Sequence, residues 1–166
     1  MAVPTDAELA RLARRVAKKY LAARQSLATA ESCTGGFIAK LLTDIAGSSE
    51  WFDSGVVCYS NAAKRWQARV PASILTRHGA VSGPTARAMA VGLLKRSGAD
   101  SAVAVTGIAG PTGAVPGKPV GTVWFAIARR TGARTRVHTI HKRFRGGRDA
   151  VRRRAAALAL RQLIAR

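Results

Sequence analysis

Apolar positions recur along this chain with two periods, and the switches between them divide it into helices and strands. Leu9, Leu12, Val16 and Tyr20 fall at helical spacing behind a Thr5–Glu8 capping-box pattern, which predicts a first helix ending near Arg24. The short apolar run Leu27 to Ala30 fits a buried strand. It stops at Glu31-Ser32-Cys33-Thr34-Gly35-Gly36, and a helical stretch follows over Phe37 to Ile45, so the order is strand, glycine-rich turn, helix. A second strand spans about Ser54 to Tyr59; Ser60 then caps a helix over Asn61 to Gln67, and a shorter helix follows Pro71. Gly83-Pro84 opens another helix that runs to about Ser97.

Asp100 to Thr106 alternates and then turns apolar, a strand that feeds the loop Gly107-Ile108-Ala109-Gly110-Pro111-Thr112-Gly113, whose glycines allow close backbone approach to a ligand. Val120 to Ala128 is a buried strand, Thr131-Gly132 a hairpin turn, and Arg134 to Phe144 its antiparallel partner; the last helix runs from about Gly147 to Ile164. Strands alternate with helices early and pair as a hairpin late. The pattern predicts an α/β fold of three layers, α/β/α, with a mixed sheet covered on both faces. No repeat, low-complexity segment or linker interrupts it, and 166 residues suit a single domain spanning 1–166.

Composition narrows the class. Apolar residues make up 48% of the chain, yet no stretch is long enough to cross a bilayer, and Met1 to Asp6 has no signal-peptide pattern, so the expected compartment is the cytoplasm. Cys33 and Cys58 have neither a disulfide framework nor zinc-ligand spacing and are expected to be reduced. The charge is unusual: 28 Lys and Arg against 8 Asp and Glu give +20. From Arg129 to Arg166 there are 13 basic residues and one acidic, a net +12, with Phe144 as the only aromatic. A single-strand binder interleaves stacking residues with its cations, so this stretch reads as a solvated basic face that gathers anionic substrates; any nucleic-acid partner it takes would be bound without sequence preference.

Several signatures fail on spacing. Gly113 to Lys118 resembles a P-loop, but three residues separate the glycines instead of four and Pro119 stands where a Ser or Thr would hold magnesium. His138 and His141 face opposite sides of their strand and cannot share a metal; neither a metal site nor a cofactor is expected. The Glu31 to Gly36 turn would put the Ser32 hydroxyl at a strand end and aim the amides of the following helix at developing negative charge. Read on spacing alone, however, Ser32 and Thr34 are better explained as helix caps, with glycines that permit the turn. Lys64, one helical turn beyond Ser60 and five residues beyond Tyr59, can reach the same sheet edge. As a base it must be neutral, through burial or through the positive field of Arg148 or Arg152.

Further blocks appear in order along the chain: Thr29 to Gly36, Ile45 to Ser49 with Trp51-Phe52, Tyr59-Ser60-Asn61 with Lys64, His78 to Ser82, Thr106 to Pro111, Lys118 to Val123 and Gly147-Arg148-Asp149. Together they resemble the CinA carboxy-terminal domain family over nearly the whole chain, in the stand-alone form without the molybdopterin-binding-like domain of longer relatives. The resemblance implies nicotinamide-nucleotide amidohydrolase activity, converting nicotinamide mononucleotide and water to nicotinic acid mononucleotide and ammonia, and a homo-oligomer. By the same resemblance Ser32 is the nucleophile, Tyr59 and Lys64 its proton-transfer partners and Arg148 a further site residue. Cys33, Thr34, Gly35 and Gly36 would supply oxyanion donors, and Arg148 with Thr106, Gly107 and Gly110 would hold the phosphate. The alternative is a non-catalytic anion- or nucleic-acid-binding domain linked to competence or DNA damage. After Pro111, Gly113 to Gly117 departs from the glycine-pair loop common in the family.

Overall fold

The computed structural model describes residues 2–165. Helix α1 (Asp6–Ala23) leads into strand β1 (Leu27–Glu31), α2 (Phe37–Thr43), a 3₁₀ turn (Ser48–Glu50) and β2 (Phe52–Val57). Three helices follow, α3 (Asn61–Ala68), α4 (Ala72–His78) and α5 (Gly83–Ser97), then β3 (Ser101–Gly107), β4 (Thr122–Thr131), β5 (Arg134–Arg143) and α6 (Arg148–Ala165). The capping box at α1 forms as expected: the Glu8 amide donates to Thr5 Oγ1 and the Thr5 amide donates back to the Glu8 carboxylate at 2.7 Å.

The sheet order is β2-β1-β3-β4-β5, parallel through the first three strands and antiparallel through the last two. This is the mixed, double-sided α/β architecture that the pattern predicts. The β4–β5 turn is Gly132-Ala133, with Gly132 at φ 58°, the left-handed backbone that a two-residue hairpin with glycine first requires.

Strand alternation sends large and small residues to opposite faces. Leu27, Val103, Val105, Val123, Phe125 and Ile127 pack into the core under α1, α2 and α6. Ala28, Ala30, Ala102, Ala104, Ala126 and Ala128 form the other face. That alanine floor lets α5 sit close to the sheet, with Ala86, Met89, Ala90 and Leu93 packed into it.

Element ends differ from the sequence expectation where tertiary contacts intervene. Strand β2 stops at Val57, not Tyr59, because the carbonyls of Cys58 and Tyr59 turn toward the Lys64 side chain. Helix α2 stops at Thr43, and Gly47 at φ 77° opens a 3₁₀ turn that hydrophobic periodicity does not reveal. Strand β4 begins at Thr122, because Gly121, at φ 89°, lies against the Phe144 carbonyl where a side chain would not fit.

From β1 the chain moves outward to β2 and then returns to place β3 on the other side of β1. The carboxyl ends of β1 and β3 therefore flank a topological switch point, where open α/β sheets form their ligand crevices.

Candidate active site

Ser32 is the first residue beyond β1 and stays in the sheet's hydrogen-bonding pattern. Its amide donates to Val105 O at 2.9 Å on one side, and Cys58 N donates to Glu31 O at 2.7 Å on the other. The backbone at the strand end is thus fixed from both neighbours, and the Ser32 side chain is buried.

The preceding residue anchors the helix that follows. The Glu31 carboxylate, buried, accepts from the Ile38 amide at 3.0 Å and the Ala39 amide at 2.7 Å, satisfying two of the orphan donors at the start of α2. Sequence reasoning aims those helix amides at a substrate oxyanion. Glu31 already occupies them. Within the turn, Gly35 N donates to Ser32 O at 3.0 Å and Phe37 N to Thr34 O at 3.2 Å.

Lys64 projects inward from α3 and is 1% exposed. Its Nζ lies 2.8 Å from Cys58 O, 2.9 Å from Tyr59 O and 3.0 Å from Ser32 Oγ. Burial pushes its pKa below the usual 10.5; the Cys58 and Cys33 sulfurs would pull it back only as thiolates. Both thiols are themselves raised by burial, Cys58 to about 11 and Cys33 to about 12, so at neutral pH they carry no charge. The depression of Lys64 comes from burial; the expected field of Arg148 or Arg152 is not among its causes. A neutral amine has two N–H groups and one lone pair. With the N–H groups on the two carbonyls, the lone pair faces the Ser32 hydroxyl, which becomes the donor.

Tyr59 meets Lys64 through its main chain only. Its exposed hydroxyl accepts from Arg148 Nη2 at 3.2 Å, while Arg148 Nη1 donates to Gly110 O at 2.9 Å. Arg148 thereby bridges the loops after β2 and β3 across the mouth of a cavity of about 210 Å³. Ser32, Cys33, Tyr59, Lys64, Thr106 and Gly107 line that cavity. Larger concavities lie elsewhere on the surface, and chemistry singles out this one, not size. Thr106 Oγ1 donates to Ala80 O at 2.8 Å, which holds the His78–Ser82 segment in place as a wall. Gly107 allows the strand to close on β4, since a Cβ there would lie 2.7 Å from Thr122 O.

Four of the predicted site residues do not line the cavity: Thr34, Gly35, Gly36 and Gly110. Thr34 and Gly110 instead accept from the two arginines through their carbonyls. Sequence reasoning gave Arg152 only a candidate field on Lys64; in the structure its Nη2 donates to Thr34 O at 2.9 Å and its guanidinium lies over Phe37. The signal was present: Arg148 and Arg152 are four residues apart on α6 and share a face. Ala80 and Val81 were also unassigned, although their block was singled out. Much of the carboxy-terminal charge has structural work as well. Arg129, Arg130 and Arg153 all donate to backbone carbonyls. Among the described residues, no three His, Cys, Asp or Glu come together as metal ligands.

Comparison with known proteins finds relatives over the whole domain. A family profile, the CinA C-terminal domain, matches residues 9–166. The nicotinamide-nucleotide amidohydrolase PncC of Escherichia coli (strain K12) is 52% identical over 96% of this chain and 94% of its own length. A putative competence-damage inducible protein of Symbiobacterium thermophilum is 55% identical over 81% of this chain but 33% of its own length. Among solved structures, the competence/damage inducible protein CihA from Agrobacterium tumefaciens superposes with a TM-score of 0.89 at 45% identity, covering 99% of this chain and 98% of that one.

Proposed function

The chain belongs to the CinA C-terminal domain family, and we propose that it hydrolyses the carboxamide of nicotinamide mononucleotide to nicotinic acid mononucleotide and ammonia. The observation that carries the reading is the buried contact between Lys64 Nζ and Ser32 Oγ, with both remaining Nζ valences held by main-chain carbonyls. A lysine whose charged form is disfavoured by burial, set beside a serine hydroxyl, can take its proton and so activate the serine as a nucleophile.

The chemistry follows from those atoms. Ser32 Oγ attacks the carboxamide carbon as its proton passes to Lys64 Nζ, directly and not through the Tyr59 hydroxyl. The tetrahedral oxyanion would take the amide of Cys33, the turn residue next to Ser32 that also lines the cavity and whose N–H lies outside the Gly35 and Phe37 hydrogen bonds. As the C–N bond breaks, Lys64 returns the proton to the leaving nitrogen and ammonia departs. Water then attacks the Ser32 ester, losing its proton to Lys64. As the acyl C–Oγ bond breaks, Lys64 returns that proton to Ser32 Oγ, and the carboxylic acid product leaves with Ser32 and neutral Lys64 restored.

Cavity size supports division of the substrate between two regions. About 210 Å³ is below the ~300 Å³ at which ligand pockets ordinarily begin, and suits the pyridine carboxamide more than a whole mononucleotide. The ribose phosphate then lies at the mouth, where Arg148 is already exposed and has N–H groups beyond the two it spends on Tyr59 and Gly110.

The test is product analysis with nicotinamide mononucleotide, nicotinamide riboside and nicotinamide as alternative substrates. The expected result is equimolar ammonia and nicotinic acid mononucleotide from the nucleotide, with the riboside and free base much poorer. Absence of ammonia from all three would refute the proposal.

A further inference from the structure

Acidic residues are unevenly spread. Between Ser54 and Ala99 there is none, whereas that segment carries seven Lys and Arg. Lys64 is buried in the site; Arg65, Arg69, Arg77, Arg87, Lys95 and Arg96 are all exposed on the α3–α4–α5 layer. On the same layer Trp66 is 74% exposed, although Trp51 is buried and Trp124 half-buried. A tryptophan so open to water is a cost that a solvated face does not need.

Trp66 is also held in place. The Arg96 guanidinium lies 5.7 Å from its ring centroid, and Arg96 Nη1 donates to Trp66 O at 3.2 Å and Gln67 O at 2.9 Å. Beside it runs an open groove of about 630 Å³ containing Arg65 and Arg69. A second groove of about 540 Å³, with Arg87, Val91 and Lys95, shares Arg69 and Pro71 with the first. The two form one trough from α3 across α4 to α5, with cations along its length, an aromatic plate at one end and no carboxylate.

We propose that this trough binds single-stranded nucleic acid, with a base stacked on Trp66 and phosphates on Arg65, Arg69, Arg87 and Lys95. An aromatic plate needs unpaired bases, which a duplex does not offer, and the cations follow a backbone without reading sequence. A second copy of this chain on a two-fold axis would set cations against cations. The basic β5 edge has charge without an exposed Tyr or Trp and lacks the stacking element. The trough shares no lining residue with the Ser32 cavity, so this proposal and the amidase proposal fail independently.

The test is fluorescence anisotropy of the full chain with labelled oligo-dT of about 20 nucleotides, a duplex of equal length and polyglutamate, each across a salt series. Oligo-dT binds best, and log K falls against log salt with a slope of roughly −3, about −0.7 for each of four phosphate contacts. Trp66→Ala weakens oligo-dT binding roughly five- to 150-fold, the range for one base–aromatic stack, with the salt slope unchanged. Trp66→Phe restores most of it. Arg65→Glu with Arg87→Glu flattens the slope, and Arg134→Glu with Arg136→Glu on β5 has little effect. Four results would overturn the proposal: no oligo-dT binding at low salt, equal binding by Trp66→Ala, tighter binding of duplex or polyglutamate, or sedimentation showing that Trp66→Ala converts a dimer to monomer. Unchanged thermal unfolding of each variant confirms that a loss of binding belongs to the surface.

Discussion

Lys64 Nζ lies 3.0 Å from Ser32 Oγ, and among the described residues its hydrogen-bond partners include no carboxylate or imidazole. Its partners are a hydroxyl and two carbonyls, none of which stabilises an ammonium as a carboxylate would. Burial is therefore the largest influence on the amine and favours its neutral form. Replacing Lys64 by Met or Arg is expected to lower the amidase rate at least ~100-fold, since Met has no basic nitrogen and Arg stays protonated. Steady-state kinetics with circular dichroism as the folding control checks this. Activity of Lys64→Arg close to that of the unmodified chain would remove lysine from the mechanism.

The pH dependence follows with a definite sign. The reactive form of Lys64 is neutral, so log kcat/KM rises with pH and levels off above its folded pKa, which lies below 10.5. Stability moves the same way. Between the folded pKa and 10.5 the unfolded chain binds the extra proton, so the urea midpoint rises with pH through that window; below it both states are protonated and the burial cost is fully present. Lys64→Met is expected to abolish that stability slope.

Glu31 acts through position. Glu31→Ala leaves the Ile38 and Ala39 amides without their acceptor, at a cost of about 1–3 kcal/mol for the buried Ile38 amide and less for the half-buried Ala39 amide. Because α2 carries the far end of the Ser32 turn, kcat falls while KM changes little. Glu31→Gln keeps one acceptor oxygen and recovers part of both losses. A KM effect with unchanged kcat would place Glu31 in substrate binding instead.

Arg148 has the opposite signature. It bridges Tyr59 and Gly110 at the rim, away from the reacting bond, so Arg148→Ala raises KM for nicotinamide mononucleotide by about tenfold or more and narrows the preference for the nucleotide over the riboside. A kcat loss equal for both substrates would contradict a phosphate role.

How much of this was legible in the sequence depended on how local each signal was. The capping box, the β4–β5 hairpin and the strand–turn–helix at Ser32 depend on residues within a few positions of one another, and all three are present in the structure. The ordered blocks located Ser32, Tyr59, Lys64 and Arg148, which the fold brings to one cavity from the turn after β1, the β2–α3 loop, α3 and α6. Contacts made by main-chain atoms were not legible. The Tyr59 carbonyl on Lys64 and the Thr34 carbonyl on Arg152 depend on where the backbone goes, not on which side chain it carries. Glu31 is undecided in the sequence for a related reason: the pattern places an acid before a helix, but only the three-dimensional turn shows its carboxylate on the helix amides.

The central claim is that Ser32, not the adjacent thiol, attacks the carboxamide. Cys33 lines the same cavity, and burial holds its pKa near 12, so its thiolate is scarce at neutral pH. The direct measurement is ammonia release from nicotinamide mononucleotide by Ser32→Ala and Cys33→Ala side by side. The account predicts a loss of at least ~1000-fold in Ser32→Ala and near-normal turnover in Cys33→Ala. Near-normal turnover in Ser32→Ala, with the loss falling on Cys33→Ala, would contradict it.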